Sequence, residues 1–205
     1  ANIMPTIRSR GQLVRCTQVN AEELSARLTE EHGLDKKQAD FLAAYSQGCP
    51  GRAIDLIGND AFFERRNAVI EVASKASSGN PWLALKLAGV LRSKDTAAPE
   101  ASDDDPDSEP APAKQAKKGS RDSLIESLDM LVVWYRDLLA AKLRGEQAAV
   151  VNLDRMDEIL AQASRYPHAG PLANAVDAIL RAKRGILGNG SPQIVTEALM
   201  MKLAR

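Results

Sequence analysis

Apolar residues recur along most of this chain at three- and four-residue spacing, which is the periodicity of amphipathic α-helices. The longest run predicts a helix from Ser120 to Gly145. Its apolar residues form one broad stripe: Leu124, Leu128, Leu131, Val132, Tyr135, Leu138 and Leu139. Shorter runs predict further helices that start near Asp60, Asn80, Asp154, His168 and Ser191.

Helix start and stop signals also recur within residues 18–58. Polar residues that cap helix N-termini, or a proline suited to a first turn, alternate with glycines that end helices. The start signals are Asn20, Asp35 and Pro50, and the stop signals are Gly33, Gly48 and Gly58. Three short helices in about forty residues predict a compact unit with only a small core.

A short strand is predicted near the N-terminus, over Gln12–Cys16, where apolar and polar residues mix. A strand needs partners for its backbone hydrogen-bonding groups, and no later segment resembles a strand. The predicted fold class is therefore all-α with a remnant strand at the N-terminus. We also expect the chain to be the C-terminal piece of a longer protein.

Residues 95–119 differ in composition from everything around them. Acidic residues come first, from Asp103 to Glu109, and lysines follow at Lys114, Lys117 and Lys118. The segment has no large apolar residue, so it cannot bury enough surface to offset the entropy lost on ordering. We expect a disordered insertion between two helical parts.

Charge and composition restrict the possible functions. The 27 lysine and arginine residues balance 27 acidic ones, so no global field draws the chain toward nucleic acid or anionic lipid. No apolar run approaches the roughly 18 residues of a membrane span, and the N-terminus lacks an apolar secretory core. These features predict a cytoplasmic protein with no membrane partner. Cys16 and Cys49 lack zinc-site spacing, and two histidines make a metal cluster hard to build.

Two smaller features have a structural and a functional interpretation. Arg181, Lys183 and Arg184 lie near the end of a predicted helix, where the helix dipole favours cations. Phosphate binding is the functional alternative for this cluster. His168 follows Pro167 and is expected to be a turn or cap residue rather than a ligand.

The stretch Pro5–Arg10 reads Pro-Thr-Ile-Arg-Ser-Arg. It resembles the Pro-Thr-Ile-Arg-Ser-Arg-Cys-Gln signature that closes the AAA+ domain of clamp-loader ATPase subunits, although Gly11 stands where that family usually has cysteine. The resemblance implies that Arg10 is a catalytic arginine finger acting in trans at a neighbouring subunit's ATP site. A guanidinium stays charged and holds phosphate through two donors, and such fingers contribute about 10³–10⁵ in rate. From the residues alone, a solvated surface arginine is the alternative.

A second resemblance covers Gly48–Asp55, which reads Gly-Cys-Pro-Gly-Arg-Ala-Ile-Asp. It is similar to the sensor-2 motif of the AAA+ lid, where the arginine reaches nucleotide phosphate across the domain cleft. Arg52 occupies that position, and packing at the helix start is its alternative role. The sequence Pro-Gly-Arg-Ala within this stretch resembles that of the delta-prime subunits of bacterial DNA polymerase III, which generally do not hydrolyse ATP.

A third resemblance lies in Trp134–Leu139 and Ser191–Leu199, which are similar to stretches in delta-prime C-terminal domains. These stretches identify the family and mark no chemistry. The resemblance implies three parts: the tail of an AAA+ ATPase domain (residues 1–17), a three-helix lid (18–58) and a helical collar (60–205).

The function implied by the resemblance is that of a non-hydrolysing clamp-loader subunit of the DNA-directed DNA polymerase III holoenzyme. Its collar would assemble with the gamma/tau and delta subunits, and the whole complex would load the sliding clamp onto primed DNA. No cofactor is expected in this chain, because it has no Walker loop; ATP would lie at the neighbouring site. A gamma/tau ATPase fragment, a generic helical interaction scaffold and a DNA-binding module are the alternatives.

Overall fold

A computed structural model describes residues 17–76, 80–92 and 113–204, together with Met4, Arg10 and Gln12. Residues 81 and 113–120 are described by their backbone. Every regular element in these ranges is a helix, which confirms the predicted all-α class. The predicted strand lies outside the described residues except for Gln12, and so does the predicted disordered insertion up to residue 112. The chain divides into two compact units, Ala1–Asp55 and Leu56–Arg205.

The described residues of the first unit form three helices, α1 (Ala21–His32), α2 (Lys36–Tyr45) and α3 (Pro50–Asp55). Their predicted starts are confirmed. The Asn20 side chain accepts a hydrogen bond from the Glu22 N–H, and the Asp35 side chain accepts one from the Lys37 N–H. Each cap satisfies a donor that the first helical turn leaves unpaired.

Helix α3 ends before Gly58, the residue at which the sequence predicted its end. The helix ends at Asp55, and Leu56–Gly58 form a turn. The turn and Asn59 are followed by the first helix of the second unit, which starts at Asp60.

The core of the first unit lies mainly between α1 and α2. Leu24 and Leu28 of α1 are buried, as are most apolar residues of α2: Ala39, Phe41, Leu42, Ala43 and Tyr45. Ser25 donates a hydrogen bond to the Asp40 carboxylate and joins the two helices beside this core. The unit is therefore small, as the short helices predicted.

Gly48 connects the segment ahead of α1 to the turn after α2. The Val19 N–H donates to the Gly48 carbonyl at 2.9 Å. Gly48 has φ +73°, and a Cβ placed there would lie 2.3 Å from the Val19 carbonyl oxygen. Only glycine fits both the left-handed backbone and this close approach.

The described residues of the second unit form six α-helices: α4 (Asp60–Ala76), α5 (Pro81–Arg92), α6 (Ala113–Arg144), α7 (Met156–Ser164), α8 (Ala169–Leu187) and α9 (Pro192–Leu203). The 32-residue helix α6 is central and packs against α4, α7 and α8, while α9 packs against α5 and α8. The core is built from fully buried residues of four helices: Leu128, Leu131, Trp134, Tyr135, Leu138, Ile159, Leu172, Ile179, Ile186 and Met200.

Helix α6 begins at Ala113 rather than at the predicted Ser120. The residues before Ser120 are mostly alanine, lysine and glutamine, which have high intrinsic helix propensity. Their lack of large apolar residues predicted disorder, but a helix already formed by the buried stripe behind them can extend through such residues at little cost.

Candidate functional site

Arg10 lies in a turn and is exposed to solvent. Arg52, in the first turn of α3, is also exposed, and its guanidinium carbon lies 5.1 Å from the centre of the Tyr45 ring. Because Tyr45 is buried, its ring is a fixed platform for a cation–π contact. The contact with Tyr45 gives Arg52 a packing role at the start of α3. Binding of nucleotide phosphate by Arg52 stays a prediction. Within the described residues no hydrogen bond or ring contact joins the two arginines.

A groove of about 330 Å³ lies on the first unit between α1, α3 and the segment that precedes α1. Its apolar wall is formed by Val19, Leu24, Leu28, Pro50 and Ile54, and its polar and charged lining by Glu23, Arg27, Glu31 and His32. Arg27 and Glu23 form an ion pair one helical turn apart, at 3.1 Å. This groove was not predicted from the sequence, because its walls come from three separate segments.

The outward face of α5 carries three exposed large apolar residues. Trp82 is 79% exposed, and Leu85 and Val90 are 40% and 45% exposed. These three residues fall within one side of the helix, with Lys86 between them. The helix start is fixed by the Asn80 side chain, which accepts from the Trp82 N–H at 3.0 Å. The indole therefore projects from a well-capped first turn.

A buried polar cluster in the second unit was not found by sequence reasoning. Arg66 of α4 forms an ion pair with Asp154 at 2.7 Å and donates to the Asn152 side-chain oxygen at 2.8 Å. The Asp137 carboxylate of α6 accepts from the Asn152 side-chain amide at 2.7 Å. It also accepts from the backbone N–H groups of Val151 and Asn152, at 3.0 and 2.8 Å. The cluster ties the loop before α7 to both helices.

Burial raises the pKa of the Asp137 carboxyl above its ordinary value of 3.8, although its hydrogen bonds and nearby Arg136 act in the opposite direction. Burial also raises the pKa of Tyr135, and Tyr166 beside it adds to that shift. Neither group lines the groove of the first unit, and the hydrogen-bond partners of Asp137 are amide groups of the loop before α7, so these shifts fit structural residues. The arrangement supplies no pair for acid–base chemistry.

The basic residues of α8 have local partners. Arg181 and Arg184 each use Nε to bond a carbonyl one turn earlier in the helix, and Lys183 forms an ion pair with Asp129 of α6. His168 is the N-cap of α8, and its Nδ1 accepts from the Gly170 N–H at 3.1 Å. The prediction that His168 is a cap residue is confirmed.

Two searches over the described ranges found nothing further. No group of histidine, cysteine and acidic side chains there is arranged to hold a metal ion. None of the described helices combines the length and apolar character needed to cross a bilayer.

Comparison of the chain with protein-family models, with curated proteins and with solved structures found no match. In the part of the chain that the structure describes, every regular element is a helix, and the chain divides into two units. The function has to be argued from the motifs and surfaces described above.

Proposed function

We propose that this chain is the lid and collar part of a clamp-loader subunit of bacterial DNA polymerase III, of the delta-prime type. The proposal is supported by the Pro5–Arg10 and Gly48–Asp55 stretches and by the order of the two units. A small three-helix unit followed by a larger helical unit is the order that the resemblance implies for a lid and a collar.

The observation that carries the assembly role is the exposed apolar face of α5. Solvent-exposed tryptophan is enriched at protein interfaces, where it supplies a large contact area at a low cost in side-chain entropy. Trp82 lies beside two further exposed apolar residues, Leu85 and Val90, on the same side of a capped helix. A face of this kind fits a subunit whose larger helical unit packs against neighbouring subunits.

In this proposal the chain binds gamma/tau and delta subunits and does not hydrolyse ATP by itself. Arg10 completes the ATP site of a neighbouring subunit, and the assembled complex loads the sliding clamp onto primed DNA. The exposure of Arg10 leaves its guanidinium accessible to another protein. Arg52 contributes to packing through Tyr45.

Assembly is tested by mixing the chain with gamma/tau and delta subunits from the same source and measuring mass by size-exclusion chromatography with light scattering. The wild-type chain should co-elute in a defined heteropentamer. The double variant Trp82→Ala, Leu85→Ser should weaken co-elution, because it removes apolar area from the α5 face. Leu143→Ser is the matched control, since Leu143 is also exposed but lies at the far end of α6. Elution of the wild-type chain alone, while its partners assemble, would overturn the proposal.

The Arg10 role is tested in a loader reconstituted with the full-length subunit. Arg10→Ala should lower clamp-dependent ATPase activity by orders of magnitude at the neighbouring site, because the charge on the transferred phosphoryl group loses a stabilising cation. Arg165→Ala is the control, since Arg165 is an exposed arginine in the turn after α7. Assembly should be unchanged in both. Full ATPase activity with Arg10→Ala would contradict the assignment.

A further inference from the structure

Helices α6 and α8 lie side by side and run in opposite directions. Asp129 of α6 pairs with Lys183 of α8. Eight residues before Asp129, Arg121 donates at 2.7 Å to the side-chain oxygen of Asn189, in the turn that follows α8. A step forward along α6 therefore corresponds to a step back along α8, and the two contacts fix which residues of the two helices are level.

An exposed apolar surface lies beside the Asp129–Lys183 pair. Leu180 and Leu187 of α8 are 39% and 61% exposed, and they are two turns apart on one side of the helix. The register of the two contacts places Leu180 level with Val132 of α6, which is half-buried. Lys183 and Asp129 each lie three residues from this level, so the ion pair joins the helices on the same side. We call this exposed side of the two helices the α6–α8 face.

Acids and bases recur at one spacing on both helices of the α6–α8 face. On α6, Asp129 and Arg136 are seven residues apart. On α8, Asp177 and Arg184 are also seven residues apart. Seven residues make two turns, so each acid and its base point to one side of the helix and lie about 10 Å apart. Arg136, Asp177 and Arg184 are exposed. The Asp129 side chain is 43% exposed although it pairs with Lys183.

The charge patterns of the two helices have a common centre. The midpoint between acid and base on α6 falls beside Val132, and the midpoint on α8 falls beside Leu180, which is level with it. A two-fold axis that crosses both helices at this level would place every acid opposite the base of a second copy. The two apolar residues would then lie at the centre of the contact and the ion pairs around them, as in ordinary protein interfaces.

We propose that the α6–α8 face binds a second copy of this chain across such a two-fold axis, with α6 against α6 and α8 against α8 in antiparallel pairs. Asp129 of one copy then lies opposite Arg136 of the other. Asp177 likewise lies opposite Arg184. Parallel pairing would place like charges opposite one another, which is unfavourable. The proposal concerns a different surface from the α5 face and does not depend on the proposed assembly with other subunits.

The size of the α6–α8 face sets the expected strength of the dimer. The face extends over about four turns of helix and two helix widths, which is about 20 Å in each direction. Its area is therefore about 400 Å² per copy, about half of the roughly 800 Å² that each partner buries in a stable interface. We expect the copies to associate at high protein concentration and to separate on dilution.

The test is sedimentation velocity of the full chain over about a hundredfold range of protein concentration. The average mass should rise with concentration from 22.1 kDa towards twice that value. Arg184→Glu should raise the Kd of the dimer at least about fivefold, because the two-fold axis converts two ion pairs into repulsions at once.

Arg181→Glu is the matched control. Arg181 and Arg184 are both exposed, and each uses Nε to bond a carbonyl one turn earlier in α8. The two substitutions change the net charge equally, but Arg181 points about 100° away from Leu180 around the helix. The Kd of this variant should equal that of the wild-type chain.

A charge exchange separates the proposed pairing from a general effect of the substitutions. Asp177→Lys alone should weaken the dimer as Arg184→Glu does. The double variant Asp177→Lys, Arg184→Glu should associate like the wild-type chain, because opposite charges again face each other across the axis. An equal mixture of the two single variants should form a heterodimer for the same reason.

The α5 variant Trp82→Ala, Leu85→Ser should dimerise like the wild-type chain, and loss of the dimer in it would place the contact on α5 and overturn the proposal. A wild-type chain that stays monomeric over the whole range would also overturn it, and would leave the α6–α8 face to a different protein. So would equal weakening by Arg181→Glu and Arg184→Glu, or a double variant that remains as weak as its single parents.

Discussion

Individual residues set the tightest constraints in this molecule, and Gly48 is the clearest example. Its positive φ and the 2.3 Å approach to the Val19 oxygen leave no room for a side chain. The sequence predicted Gly48 as a helix stop, and the structure adds the reason why the stop must be glycine. The contact partner, ahead of α1, could not be predicted because it is set by the packing of three helices.

Gly48→Ala should lower the free energy of unfolding by at least about 1 kcal/mol, because alanine is disfavoured in the left-handed region and would also collide with Val19. Gly51→Ala is the control. Gly51 lies in α3 with open space around it, so stability should stay the same or rise by less than about 1 kcal/mol. Urea unfolding of the full chain measures both. Equal effects at the two positions would contradict the close approach.

Asp137→Ala should lower the free energy of unfolding by about 1–3 kcal/mol, because it leaves buried N–H groups of Val151 and Asn152 without an acceptor. Asp177→Ala, an exposed aspartate in the middle of α8, is the control and should change little. Urea unfolding at pH 7 measures both. An Asp137 variant as stable as the control would show that the cluster does not hold the loop.

The effect of Asp137→Ala on the free energy of unfolding should also depend on pH. Burial raises the folded-state pKa of Asp137 above its unfolded value, so between the two values the folded protein binds more protons. The protonation-linked part of its contribution to stability is therefore fully present below the unfolded-state pKa and is lost as pH rises through the folded-state pKa, while the part due to its hydrogen bonds with Val151 and Asn152 remains at pH 7. The stability difference between the wild type and Asp137→Ala should grow on acidification from pH 7, as followed by urea unfolding at each pH.

At the scale of elements, the sequence predicted the helices whose ends carry capping residues, including those at Asn20, Asp35 and Asn80. It did not predict that α6 starts as early as Ala113, because a segment rich in alanine and lysine can be either disordered or part of a surface helix. It also missed the cluster of Arg66, Asp137 and Asn152, because side chains so far apart in sequence meet only after packing. Arg52 was found from its motif, and its contact with Tyr45 came from the structure.

Substitution of the two tryptophans, Trp82 in α5 and Trp134 in α6, should change the free energy of unfolding by very different amounts. Trp134 is fully buried and its indole N–H donates to Gln162 at 3.0 Å, so Trp134→Ala should cost about 3–5 kcal/mol of stability. Trp82→Ala should change stability by less than about 0.5 kcal/mol. Denaturation followed by circular dichroism measures both.

Iodide quenching gives an independent check of the exposure of the two indoles. The fluorescence left in Trp134→Phe, which keeps an aromatic ring in the core, should be accessible to iodide, and that left in Trp82→Ala should be protected. A protected Trp82 in the isolated chain would mean that the α5 face is already covered, and would remove the support for assembly through it.

At the scale of the whole molecule, the two units differ in the size of their cores. In the described ranges the first has three short helices, while the second buries residues from α6 and from five further helices. Small units bury a lower fraction of their surface and are correspondingly less stable alone. The sequence predicted this difference from helix number and length.

A fragment of residues 56–205 should therefore fold without the rest of the chain. We expect it to keep a helical circular-dichroism spectrum and a single cooperative unfolding transition. A fragment of residues 17–55 should show less helix per residue than its three helices require, because its core is small. An unfolded 56–205 fragment would contradict the division into two units.

The hydrogen bond from Val19 to Gly48 also has a mechanical consequence. The chain that enters α1 is tied to the turn that leads into Pro50, so a pull on the residues ahead of Thr17 acts on that turn as well as on α1. Two residues beyond Pro50 lies Arg52, held against Tyr45. Because of this hydrogen bond, a movement of the segment ahead of α1 would also move the turn before Pro50, and with it the guanidinium of Arg52.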